Sequence, residues 1–226
     1  MDQMRERLLN RIRPASIAAE DAGWQQRKSS QTRQKLFEAA IDCLVEIGYS
    51  GLSIPAICTR SGVSRGALHH HFAEKIQLVA ALTEYLFYKR MGRFITDYFD
   101  IMDKDSDFVT TATQLHWESL QDREYTAYFE IAIAARTDKA LAEFFFPIAK
   151  RFDQIWLNEM VQHFPQWKSN LAKLQLVSDF AMSAHMGLLL NRDAFSEERM
   201  EQVQALIIRT VDAVYQEVRG TGEDGA

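Results

Sequence analysis

A chain of 226 residues, 47% hydrophobic and 11% aromatic, has the apolar content for a substantial core, which excludes general disorder. The net charge of −5 argues against an evenly basic nucleic-acid binder, but the charge is unevenly placed: residues 1–75 hold 11 Lys/Arg against 8 Asp/Glu, and residues 76–226 hold 15 against 23. With no apolar leader and no run of 18 apolar residues, the sequence predicts a cytoplasmic protein with no membrane partner.

Residues 1–30 read as a polar, flexible N-terminal extension. Within it Met4, Leu8 and Ile12 alternate with Arg5, Arg7, Arg11 and Arg13, the pattern of a short basic amphipathic helix that Pro14 would end. Such a helix is either an arm that contacts DNA or a frayed leader. Arg27 and Lys28, just before the first folded helix, are better placed for a phosphate. From Gln31 the helical period is clear. Leu36, Phe37, Ala40, Ile41, Cys43, Leu44 and Ile47 form a broad apolar stripe that Gly48 terminates. Cys43 and Cys58, the two cysteines, fall on core faces and read as buried free thiols.

After the loop Tyr49–Leu52, the stretch SIPAICTRSGVSRGALHHHF (Ser53 to Phe72) gives two short helices around a tight turn. Ser53 can cap a helix carrying Ile54, Ile57 and Cys58. Gly62 tolerates the left-handed geometry of its C-terminus, and Ser64 can cap the next helix. That second helix is too small-sided and polar to be core. A helix, a glycine turn and a short exposed helix make the helix-turn-helix arrangement, whose second helix enters the DNA major groove. The segment also resembles the tetracycline-repressor (TetR/AcrR) family, whose pattern is roughly T/S-x-x-x-I-A-x-x-A-G-V-S-x-G-x-L-Y-x-H-F-x-x-K. Ser53, Ile57, Gly62, Val63, Ser64, Gly66, Leu68, His71, Phe72 and Lys75 match it, Cys58 and Ser61 replace alanines, and His69 replaces the tyrosine. The motif covers residues 32 to 80.

Beyond residue 75 only helices are predicted: 74–102, then an acidic break at Asp103–Asp107 with Asp107 as cap, then helices through Leu120, over 122–136, and from Asp138 to His163 with a kink at Pro147. Pro165 marks a further break. The last helices run over 168–192 and 196–218, before a disordered tail at 220–226. The fold class is therefore all-α, with a three-helix DNA-binding domain over 31–75 and a larger helical effector-binding and dimerisation domain over 76–219.

For DNA recognition the candidates are Ser53 and Ser64 at helix N-termini, Arg65 for guanine O6 and N7, and Gly66 for close approach. His69 and His70 can donate to phosphate or base acceptors. Lys75 is a phosphate contact by its position and by the resemblance. His69-His70-His71 does not predict a metal site, because consecutive helical residues point about 100° apart and cannot converge on one ion. The resemblance further implies a small-molecule pocket in the central helices and a homodimer through the last two. Trp117, Tyr128, Phe129, Phe144, Trp156, Met182 and His185 are the pocket candidates, with His116 and Glu118 as other orienting polar groups. They suit an apolar or aromatic ligand, although aromatics at helical spacing also serve as plain core. On the last two helices, Leu171, Leu174, Met182, Leu188 and Leu189, then Val203, Leu206, Ile207, Val211 and Val214, form apolar stripes for a four-helix interface.

The expected function is a dimeric, sequence-specific regulator, a repressor released from a palindromic double-stranded DNA operator by its ligand. No P-loop, dinucleotide fingerprint, nucleophile elbow or metal-binding helix occurs, so neither a cofactor nor an enzyme is predicted. Two alternatives stay open: a DNA-binding protein without an effector, and an all-helical enzyme.

Overall fold

The computed structural model describes residues 2–17, 22–102, 108–163 and 167–223. Over these residues the chain forms ten α-helices and no strand: α1 (Asp2–Ile12), α2 (Trp24–Gly51), α3 (Ile54–Ser61), α4 (Arg65–His71), α5 (Lys75–Met102), α6 (Phe108–Ser119), α7 (Arg123–Ala135), α8 (Lys139–His163), α9 (Leu171–Leu190) and α10 (Glu197–Glu223). The break at Asp103–Asp107 with its cap, the break at Pro165 and the last three residues of the expected tail lie outside the described residues. No helix among the described residues is long and apolar enough to cross a membrane.

The chain divides into two compact units. One comprises Met1–Ile95 with Asp122–Lys150, and the other Thr96–Gln121 with Arg151–Ala226. In the first unit Leu36, Phe37, Ile41 and Leu44 of α2 meet Ile57 of α3, Leu68 of α4 and Leu78, Leu82 and Leu86 of α5, all fully buried. Ala127 and Ile131 of α7 and Leu141 and Phe145 of α8 belong to the same core. Burying such side chains contributes roughly 1.5–3 kcal/mol each, which holds the short α3 and α4 in place where helices of eight and seven residues would not persist alone. α7 therefore packs with the helix-turn-helix, a grouping that a division at residue 75 does not anticipate.

The N-terminal extension is more ordered than its polarity suggests. Leu8 and Ile12 are buried, and a side chain added at Gly92 would meet Leu9, so α1 lies on α5. The carbonyl of Ser16 accepts from Arg33 Nε at 2.8 Å, which ties the segment after α1 to α2. α2 accordingly starts at Trp24 rather than Gln31. Its stripe is buried as predicted except at Ile47, which is 50% exposed because the helical path ends at the next residue. Gly48 there adopts φ 67°, the left-handed region that only glycine enters at low cost.

In the second unit Trp167, Leu174 and Val177 pack with Val218 of α10, and the Trp167 and Tyr215 rings lie 6.0 Å apart. α10 also packs along α6 and α9. It extends to Glu223, beyond the end expected near residue 218 and through part of the expected tail.

Candidate nucleic-acid interface

The interface is built on α3, the turn and α4. Ser53 Oγ accepts from the N–H of Ala56 at 3.3 Å, and Ser64 Oγ accepts from the N–H of Ala67 at 3.2 Å. Both serines thus cap their helices as predicted, and each hydroxyl keeps its own proton free to donate. Gly62 closes α3 at φ 67°, its N–H donating to the Cys58 carbonyl at 3.1 Å. Leu68 is fully buried and Phe72 sits 5.8 Å from the Phe37 ring, so α4 is anchored by one face and its far end.

That anchoring decides what α4 shows. Residues 65, 66, 69 and 70 group at helical spacing along one side of α4, with Gly66 and His70 facing away from Leu68, and all four are exposed. Arg65 Nε donates to His69 Nε2 at 3.4 Å, while His69 Nδ1 lies 3.2 Å from the Ala73 carbonyl. A neutral His69 with its proton on Nδ1 satisfies both contacts, and the imidazole then steadies the arginine above it. Around Gly66 a Cβ would meet nothing within 4 Å. Among the described residues nothing requires glycine there, which leaves room for a surface brought up from outside. His71 is half-buried, and burial with the nearby Arg33 and His70 charges pushes its pKa below the ordinary imidazole value.

Lys75 is less free than its sequence position suggests. Its ammonium lies 4.5 Å from the centroid of the Tyr49 ring, and burial pulls its pKa below the usual lysine value, partly offset by Asp138. Arg60 of α3, which sequence reasoning passes over, is held by Glu46 of α2. A second network binds α7 to α2. Arg123 contacts Glu38 and Asp42, and Lys89 of α5 bridges Glu38 at 3.1 Å and Glu124 at 2.7 Å. Tyr85 donates to Glu38 at 2.6 Å, and these donors, working against burial, hold the Glu38 carboxyl below its ordinary pKa.

The seven effector candidates do not form one described group. Tyr128, Phe129 and Phe144 lie in the first unit, and Trp117, Trp156, Met182 and His185 in the second. Phe129 is buried, whereas Phe144 and Met182 are exposed. Tyr128 packs 5.4 Å from the Phe145 ring and beside Arg90, whose role the sequence did not suggest. His185 is fully buried, its Nδ1 2.9 Å from His116 Nδ1 and its ring 5.7 Å from Trp117. Among the described residues no group of three or more His, Cys, Asp or Glu could hold a metal ion.

An all-helical chain with a capped, glycine-turned helix pair and an exposed second helix defines a helix-turn-helix protein. Residues 36–82 match the sequence profile of the bacterial regulatory proteins of the tetR family. An HTH-type transcriptional regulator of Mycobacterium tuberculosis is 31% identical over 119 residues, 53% of this chain and 60% of the relative. The chain thus matches somewhat more than half the length of that relative. Among solved structures, a TetR-family regulator from Rhodococcus sp. superposes with a TM-score of 0.61 at 18% identity, covering 81% of this chain and 98% of that one. The multidrug binding protein EbrR, crystallised with imidazole, gives a TM-score of 0.58 at 18% identity over 78% and 93%. Residues 36–82 thus match the tetR-family helix-turn-helix, and the chain shares the fold of the solved TetR-family structures it superposes on.

Proposed function

We propose that this protein is a cytoplasmic transcriptional regulator that binds a specific double-stranded DNA operator through the exposed face of α4. The observation that carries the reading is the exposed set Arg65, Gly66, His69 and His70, on a helix that buried Leu68 anchors. Arg65 reads a base edge, Gly66 allows the close approach, and Ser53, Ser64 and Lys75 hold backbone phosphates.

One α4 spans too few base pairs for useful specificity, so the active form is a homodimer built on α9 and α10. Two apolar faces on α9 support this. Leu174, Val177, His185 and Leu188 face its own core, while Leu176, Phe180 and Leu190 are exposed on the other side, as is Leu206 on α10. A two-fold dimer calls for an approximately palindromic operator.

The protein acts as a repressor that a small aromatic ligand releases. EbrR, whose fold this chain shares, is a multidrug binding protein. Release requires the ligand to bind the DNA-incompetent state more tightly than the competent one. Selection of bound sequences from random duplex DNA tests the reading. An enriched inverted repeat supports it, and weak, salt-sensitive binding without enrichment refutes it.

A further inference from the structure

Arg90 continues the row Leu78, Leu82, Leu86 along α5, three residues that are fully buried. Its guanidinium carbon lies 3.5 Å from the centroid of the Tyr125 ring, 4.1 Å from that of Tyr128 and 5.4 Å from that of Phe87. Its Nε and Nη1 are shut off from solvent and have no hydrogen-bond partner among the described residues. A guanidinium carries five N–H donors in one plane and cannot shed its charge in a protein. Aromatic faces stacked on that plane attract the cation, and Tyr128 also hydrogen-bonds the guanidinium, but neither serves Nε or Nη1. A carboxylate would, and the acids nearby are engaged. Glu38 is held by Tyr85, Lys89 and Arg123, and Glu124 by Lys89. Each hydrogen bond from such a charged donor is roughly twice as strong as a neutral one, so the edge of Arg90 is a place of strong unmet demand.

We propose that Arg90 is the anchor of an effector site for aromatic carboxylates, with the carboxylate on the guanidinium edge and the aromatic body among the rings of Phe87, Tyr125 and Tyr128. The inference rests on the ligand-responsive reading above and sharpens it: the effector carries a negative charge that aromatic content alone does not suggest. The part of α5 up to Ile95, which supplies the anchor, and α7, which supplies the two tyrosines, belong to the same packed unit as α4. α7 is fastened to α2 through Arg123 and Glu130. A ligand that draws Arg90 away from its tyrosines therefore acts on helices already coupled to the DNA-binding ones.

The test is thermal denaturation and calorimetric titration of the full chain, without DNA, against benzoate, phenylacetate and cinnamate, with benzamide as the neutral control. At least one carboxylate should bind and raise the melting temperature, and benzamide should not. Arg90→Met, which keeps the chain length but removes the charge, should weaken that binding at least tenfold, and Arg90→Lys should weaken it less. Arg90→Met should also melt at or above the wild-type temperature without ligand, because it removes a half-buried charge whose Nε and Nη1 lack an acceptor. Three results would each overturn the proposal: equal binding of benzamide, no binding of any of the three carboxylates, or full carboxylate binding by Arg90→Met. A marked fall in the melting temperature of Arg90→Met would do so as well, since it would make the guanidinium part of the fold rather than a waiting anchor. These readouts involve no DNA, so failure of the operator selection leaves them intact, and their failure leaves the DNA-binding reading intact.

Discussion

The side-chain carboxylate of Glu130 on α7 accepts the backbone N–H of Tyr49 at 3.2 Å, directly after left-handed Gly48. An acid 81 residues away thus satisfies the donor exposed where α2 breaks toward the helix-turn-helix. The oxygen is so close that a Cβ at Gly48 would lie 2.9 Å from it.

The same geometry predicts a non-additive pair of variants. Glu130→Ala leaves the Tyr49 N–H without this acceptor and should cost about 1–2 kcal/mol. Gly48→Ala incurs both the positive φ and the collision, and should cost about 1–3 kcal/mol. In the double variant the collision is gone, so the combined loss should fall short of the sum by more than 0.5 kcal/mol, a typical coupling for residues in contact. Urea denaturation of the four proteins measures it, and strict additivity would mean that the two residues do not meet.

Gly66→Ala separates folding from binding. With open space around the position, the change should leave stability equal to wild type or raise it by roughly 0.5–1 kcal/mol, the difference in helix propensity. Operator affinity should nevertheless fall at least tenfold, because the added methyl stands between α4 and the duplex. Unchanged affinity on the selected operator would place the duplex elsewhere.

Arg65 and Lys75 should fail in different ways. Arg65→Ala, at an exposed position, should keep the melting temperature but lose about 1–3 kcal/mol of discrimination at one base pair of each half-site. Lys75→Ala should weaken binding to all sequences alike and lower the slope of log affinity against log salt by about one per subunit. Loss of the Tyr49 contact should also cost about 0.5–1 kcal/mol of stability. An unchanged salt slope would show that Lys75 serves only the fold.

Burial of His185 pushes its pKa down to about 4 from an ordinary 6.5. Between these values the unfolded chain binds a proton that the folded one refuses, so stability is complete above about pH 6.5 and is lost as pH falls toward 4. The slope approaches about 1.4 kcal/mol per pH unit within that window. His185→Asn should be less stable at pH 7.5, and its loss of stability between pH 6.5 and 4.5 should be shallower than that of wild type. Parallel profiles would mean that carboxylates elsewhere carry the acid sensitivity.

Much of the DNA-binding half is legible in the sequence because its signals are local. Ser53, Gly62 and Ser64 act on backbone groups within four residues, and Leu68 against Arg65 and His69 is a matter of helical spacing. Arg90 left a trace too, as a charge in step with Leu78, Leu82 and Leu86, but on an isolated helix such a residue reads as a boundary of the apolar face. The N-terminal extension misleads for a related reason: Leu8 and Ile12 are too few to imply burial until Gly92 of α5 provides a place for α1.

By itself, then, the sequence determined the helices, their caps and the outward face of α4, since these depend on periodicity and on contacts within one turn. Tertiary structure alone decided that α7 belongs with the helix-turn-helix, that Glu130 reaches Tyr49, that Lys75 rests on Tyr49 and that Arg90 stacks on two tyrosines. Hydrophobic burial is non-directional, so an apolar stripe announces that it will be covered without naming its partner. Ion pairs and hydrogen bonds between distant residues exist only once that partner has been chosen.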